Sequence, residues 1–140
     1  MRDAFGFSAD AIDTVTACAF SRSAYSALVD EKPHLLRRLH QFATHELTLA
    51  QEQMMLLGRR TAEEKLTCFL LAMQERWAKL GKPSVTVPLP MSRQDIADFL
   101  GLTIETVSRT FTKLAKDKTI LIVPDGVRLM NLDHMAHVAA

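Results

Sequence analysis

The stretch from Leu35 to Leu57 contains neither Gly nor Pro and is dominated by helix formers, so it reads as one helix of about six turns. Positions 35, 39, 42, 46, 49, 53 and 56 step by four and three and are Leu, Leu, Phe, Glu, Leu, Gln and Leu. A second stripe of Leu36, Ala43, Leu47, Ala50, Met54 and Leu57 runs beside the first. An apolar surface this wide has to be covered on two sides. One side can meet its own chain. The other asks for a partner helix, most simply from a second copy, with Leu35, Leu39, Phe42, Leu49 and Leu56 as the seam. The alternative is the central helix of a monomeric bundle, for which a chain of 140 residues leaves little wrapping material.

The flanking segments carry their own punctuation. Ile12 to Phe20 is rich in β-branched and small residues with loose alternation and reads as a strand, preceded by a strand end and turn at Phe5-Gly6-Phe7. Such short strands are not stable alone and need a partner. Ser21 to Val29 reads as a short helix capped by Ser21 or Ser23, and Pro33 suits the first turn of the long helix. Gly58 is expected to end that helix. Thr61-Ala62-Glu63-Glu64 is a capping box opening another, whose buried face is Leu66, Phe69, Leu70, Met73 and Trp77 and which Gly81 closes. Val85-Thr86-Val87 is a short strand between prolines.

Residues 92–116 hold the most specific pattern. Ser92, with Asp95 three residues on, caps a helix whose apolar positions are Ile96, Ala97, Phe99 and Leu100, and Gly101 ends it. Thr103 caps the next helix, with Thr106 at the capping-box position and Val107, Phe111 and Leu114 facing inward. Ala97 is small where the helices would cross, Gly101 permits a positive φ in the turn, and Val107 points back into the angle between them. This is the helix-turn-helix spacing; the plainer alternative is an αα-corner with no ligand.

The outward face of the second helix is entirely polar: Thr103, Glu105, Thr106, Ser108, Arg109, Thr112, Lys113 and Lys116. Glu105, Arg109 and Lys113 step by four and share a face. A recognition helix presents its amino-terminal residues to base edges in the major groove, where Arg grips guanine O6 and N7 and Glu accepts from cytosine N4. Lys113 and Lys116 lie farther along, where phosphates are the natural partners. A hairpin follows, Ile120–Val123 and Val127–Met130 around Pro124-Asp125-Gly126, so the helix-turn-helix is winged and Arg128 can reach a flanking phosphate.

Charge supports the same half of the chain. Residues 1–58 hold five Lys and Arg against seven Asp and Glu, net −2; residues 59–140 hold twelve against nine, net +3. No apolar run approaches a membrane span, and the amino terminus does not read as a secretory signal. Two cysteines, Cys18 and Cys68, make no disulfide scaffold, so a reduced, cytoplasmic protein is expected. His134 and His137 lack further ligands at zinc spacing, so no metal is expected. With no phosphate loop, nucleophile–base motif or paired carboxylates, the chain does not read as an enzyme.

The run Pro90-Met91-Ser92-Arg93-Gln94-Asp95-Ile96-Ala97-Asp98-Phe99-Leu100-Gly101-Leu102-Thr103, continued through Ile104 to Arg109, resembles the Crp/Fnr family of bacterial transcription regulators. Thr61 to Leu66 is similar to the family's segment after its dimer helix, and Glu105-Thr106-Val107-Ser108-Arg109 is similar to the Fnr and FixK branch. The resemblance implies a mainly α fold with small β-hairpins. Its expected parts are a β-roll remnant at 1–29, a dimerisation helix at 30–58 and a winged helix-turn-helix domain at 59–140. Asp3-Ala4-Phe5-Gly6-Phe7 and Ile12 to Phe20 are similar to the last stretches of the family's sensory roll, so the chain reads as a member lacking most of that domain. The resemblance further implies a homodimer on double-stranded DNA at a TTGA-like inverted repeat, with RNA polymerase as a partner. Glu105, Ser108 and Arg109 would read bases, and Arg93, Thr103, Thr106, Lys113, Lys116 and Arg128 are the phosphate-contact candidates. Cys18 falls near the internal cluster ligand of iron–sulfur Fnr proteins, but one thiolate does not hold a cluster, and no cofactor is expected. The rival reading is an interaction protein that pairs with full-length relatives and modulates them.

Overall fold

The computed structural model describes residues 8–59 and 61–139. The expected strand end and turn at Phe5-Gly6-Phe7, and the roll-like Asp3–Phe7 stretch, lie outside the described residues. The chain divides into two compact units, one ending at Ala50 and the other beginning at Gln51, with the division inside the long helix.

In the first unit, α1 (Arg22–Glu31) starts at Ser21, whose Oγ accepts from the Ala24 N–H at 3.2 Å. Pro33 opens α2 (Pro33–Arg59), since its fixed φ suits a first turn and its missing N–H has no helical partner to lose. The helix runs through Gly58 to Arg59, so Gly58 lies in the last turn instead of ending it; an isolated Gly there costs only about 1 kcal/mol. Residues 12–20 form no strand. A strand's backbone N–H and C=O groups need a neighbouring strand, and the described residues of this unit contain none, so the expectation of a strand there is corrected. Helices α1 and α2 make their hydrogen bonds locally and form without such help. No described residue from 8 to 50 is buried.

The second unit holds the core. Helix α3 (Ala62–Lys79) starts at a complete capping box in which Thr61 Oγ1 accepts from the Glu64 N–H and Glu64 Oε2 accepts from the Thr61 N–H at 2.6 Å. It is followed by β1 (Thr86–Pro88), α4 (Arg93–Leu100), α5 (Ile104–Lys116), β2 (Ile120–Val123), β3 (Gly126–Leu129) and α6 (Leu132–Ala139). The hairpin gains a third strand: the sheet order is β1-β3-β2, all antiparallel, with Val127 of the central strand opposite Val87 on one side and Ile122 on the other. Gly126 is required by this pairing, because a Cβ there would sit 2.1 Å from the Val87 carbonyl oxygen. The Trp77 indole N–H donates to the Pro88 carbonyl at 3.3 Å and ties α3 to β1.

Leu66, Phe69 and Leu70 of α3 meet Ile96, Ala97 and Leu100 of α4, Val107, Phe111 and Leu114 of α5, and Val87, Ile120, Val127 and Leu129 of the sheet in one buried cluster. Met73 and Trp77 pack on it partly buried. Phe99, one of the apolar positions of α4, is 48% exposed; its ring lies 5.7 Å from that of Phe69 at the cluster's edge. Helix α6 packs on α3 and buries Met135; Asn131 Oδ1 accepts the His134 N–H at 3.0 Å and starts it. Among the described residues no helix is long and apolar enough to cross a membrane.

Candidate nucleic-acid interface

Two helices and a tight turn build the site. Helix α4 begins with a reciprocal cap: Ser92 Oγ accepts from the Asp95 N–H at 3.1 Å, and Asp95 Oδ2 accepts from the Ser92 N–H at 2.7 Å. The Ser92 hydroxyl, followed by the Ser92 backbone N–H, holds the Asp95 carboxyl below the usual carboxylate range. At the other end Gly101 takes φ +60°, ψ +44°, and the Leu102 N–H closes on the Ala97 carbonyl at 2.9 Å. Only a residue without a Cβ takes this left-handed turn at little cost, so Gly101 sets the angle at which the chain enters α5.

Thr103 caps α5 by accepting from the Thr106 N–H at 3.2 Å, and the two hydroxyls share a hydrogen bond of 3.0 Å. From there the helix divides cleanly. Val107, Thr110, Phe111 and Leu114 are buried; Glu105, Ser108, Arg109, Thr112, Lys113 and Lys116 are exposed. The Glu105 carboxyl is held below its ordinary range by its own backbone N–H first, then by the Thr103 hydroxyl and the Arg109 charge. Ser108, Arg109, Thr112, Lys113, Lys116 and Asp117 line one groove of about 440 Å³.

The phosphate candidates separate in this frame. Lys116 is exposed on the groove. Lys113 is ion-paired to Glu63 in the first turn of α3, a hydrogen bond that raises the Lys113 pKa above its ordinary value. Arg93 is half-buried with its guanidinium 3.3 Å from the Phe111 ring centroid; burial lowers its pKa, but a guanidinium stays charged. Thr103 and Thr106 are engaged in the cap. Arg128 is exposed on β3, beside Thr86 and Leu121 on the sheet face opposite Val127. Of the seam residues, Phe42 and Leu49 are exposed, Leu35 and Leu39 half-buried, and Leu56 packs against the core of its own chain. Cys18 is exposed and Cys68 half-buried. Among the described residues no three His, Cys, Asp or Glu side chains are placed to hold a metal ion.

Sequence reasoning missed two residues that support the turn. Gln53 Nε2 donates to the Phe99 carbonyl at 3.0 Å, and the buried Lys65 Nζ donates to the Leu100 carbonyl at 3.3 Å. These are among the last carbonyls of α4, which lack helical partners, and a cation at a helix carboxy terminus is favourable. Gln53 was detectable as one of two polar residues, with Glu46, in a mainly apolar stripe. Lys65 carried no signal, because its partner lies far along the chain. Glu63 was missed for the same reason.

Residues 89–120 match the family described as "Bacterial regulatory proteins, crp family". The chain is 55% identical over 136 residues to the transcriptional activatory protein AadR of Rhodopseudomonas palustris, covering 97% of this chain and 57% of that protein. It is 52% identical over 134 residues to the nitrogen fixation regulation protein FixK of Bradyrhizobium diazoefficiens, covering 96% and 56%. The solved structure of FixK2 from Bradyrhizobium japonicum superposes with a TM-score of 0.77 at 35% identity over 85% of this chain and 59% of that one. The chain thus spans less than two thirds of the length of these relatives.

Proposed function

The chain belongs to the crp family of bacterial regulatory proteins, in the company of FixK and AadR relatives, and from that premise we propose that it is a sequence-specific DNA-binding transcription regulator. It reads a TTGA-like inverted repeat as a homodimer. The observation that carries this is the division of α5: one side is locked into the core behind a left-handed Gly101, and the other presents Glu105, Ser108 and Arg109 together, free of the core. Arg109 takes the guanine through O6 and N7, and Glu105, one turn earlier, takes a cytosine N4 of the opposite strand. Ile104 precedes Glu105 and has no donor for a further guanine. A homodimer carries two recognition helices, and a pair of them about one DNA turn apart matches an inverted repeat. RNA polymerase is the further partner that this reading entails, on the pattern of relatives named as transcriptional activators.

The test is binding to duplexes carrying single substitutions in TTGA at fixed salt. Arg109→Ala is expected to cost about 1–3 kcal/mol per half-site and to relax the preference at the guanine. Equal affinity of the unmutated protein for the intact and guanine-substituted duplexes would end the reading.

A further inference from the structure

Lys113 and Lys116 both line the groove on α5, yet they differ in one respect. Lys113 is ion-paired to the Glu63 carboxylate, whereas among the described residues Lys116 has no carboxylate partner. Glu63 sits in the first turn of α3, where the helix dipole favours a carboxylate. It is less exposed than the lysine, 29% against 60% for the side chains, so the carboxylate is the fixed member and the ammonium the one drawn to it. A phosphate meeting this pair meets no net charge. A phosphate meeting Lys116 meets an ammonium that no carboxylate among the described residues holds in an ion pair, although Asp117 lines the same groove.

We propose that Glu63 is an electrostatic brake on nucleic-acid binding: it neutralises Lys113 in the groove and lowers affinity for the phosphate backbone without touching base readout. This rests on the reading of α5 as a DNA-facing helix. The physical consequence is specific. Backbone affinity depends on salt with a slope of about −0.9 per phosphate neutralised. With Glu63 in place, the pair adds little to that slope. With Glu63 neutral, Lys113 adds its share. Base preference, carried by Glu105 and Arg109, stays where it was. Affinity for non-cognate and cognate duplexes therefore rises together, and discrimination between them does not improve.

The experiment compares the full chain with Glu63→Gln, Glu63→Gln with Lys113→Gln, and Glu75→Gln as a charge control. Glu75 pairs with Lys79 twelve residues farther along α3, about 18 Å away along the axis. Anisotropy titrations of a TTGA inverted-repeat duplex and a scrambled duplex are run across a series of salt concentrations, with thermal melts beside them. Glu63→Gln is expected to bind both duplexes more tightly at moderate salt, by about threefold per subunit and about tenfold for the dimer, the size of one charge repulsion per subunit at several ångströms in a water-like medium. Its salt slope should steepen by about 0.9 per subunit, about 1.8 for the dimer on the inverted repeat. The double variant should lose the steepening, and Glu75→Gln should match the unmutated chain. A Glu63→Gln protein that melts normally yet binds no more tightly than Glu75→Gln overturns the brake and leaves the DNA reading standing. A gain that persists in full in the double variant also overturns it, since Lys113 would then not be the group restrained. Absence of binding to either duplex by every protein overturns the DNA reading, and the brake with it.

Discussion

Helices α2 and α5 carry apolar stripes that look alike in the sequence, and the structure treats them differently. Phe111 of α5 is 1% exposed, with Val107 and Leu114 beside it in the core. Phe42 and Leu47 of α2 are 62% and 59% exposed. The same kind of side chain is thus a core residue in one helix and a surface residue in the other. What separates them is long-range company. Helix α5 is met by α3, α4 and β2, whereas the described residues of the amino-terminal unit bury nothing. Helix periodicity tells which side chains share a face, and not what will cover it.

The largest expected effect breaks the comparison directly. Phe111→Ala removes a ring from the core and the platform under Arg93, and is expected to cost about 3–5 kcal/mol in a denaturant melt. Phe42→Ala, a matching truncation on the exposed face, is expected to shift the same melt by no more than about 0.5 kcal/mol in dilute protein. If both cost the same, the face around Phe42 is covered under the conditions of the melt, and the contrast between the two helices falls.

A smaller effect sharpens it. If a second copy covers α2, Leu39→Glu with Leu49→Glu places unpaired charges in the seam and yields monomers by sedimentation velocity, with the helix-turn-helix melt little changed. An unmutated chain that already sediments as a monomer at working concentration removes the second copy from the account.

The smallest effect lies at the entrance to α4. The Asp95 carboxyl is held below its unfolded value by Ser92, so its contribution is full at neutral pH and is lost as acid protonates it. Stability is therefore expected to fall on acidification from about pH 4 downward, and Asp95→Asn should remove that part of the dependence. Urea melts across the acid range measure it; an unchanged acid profile in Asp95→Asn would show that the cap adds nothing through this charge.

Local chemistry was legible in the sequence. The caps at Ser21, Thr61, Ser92 and Thr103, the start at Pro33, the turn at Gly101 and the two hairpin strands all depend on residues within a few positions of one another, and the structure has them where the spacing put them, except that the second strand begins one residue earlier, at Gly126. So was the polar face of α5, which needs only the helical repeat once Val107, Phe111 and Leu114 are assigned inward. Only the tertiary structure decided the rest. It left Ile12 to Phe20 without a strand, because a strand's hydrogen bonds belong to a neighbour and none is described there. It added β1 to the hairpin and put Gly126 against the Val87 carbonyl. It brought Gln53 and Lys65 to the last carbonyls of α4, Arg93 onto Phe111, and Glu63 onto Lys113. Each of these is a meeting of residues far apart in the chain. Periodicity and capping act over a turn or two of backbone, while a charge or a carbonyl finds its distant partner only after the core has set where every helix end lies.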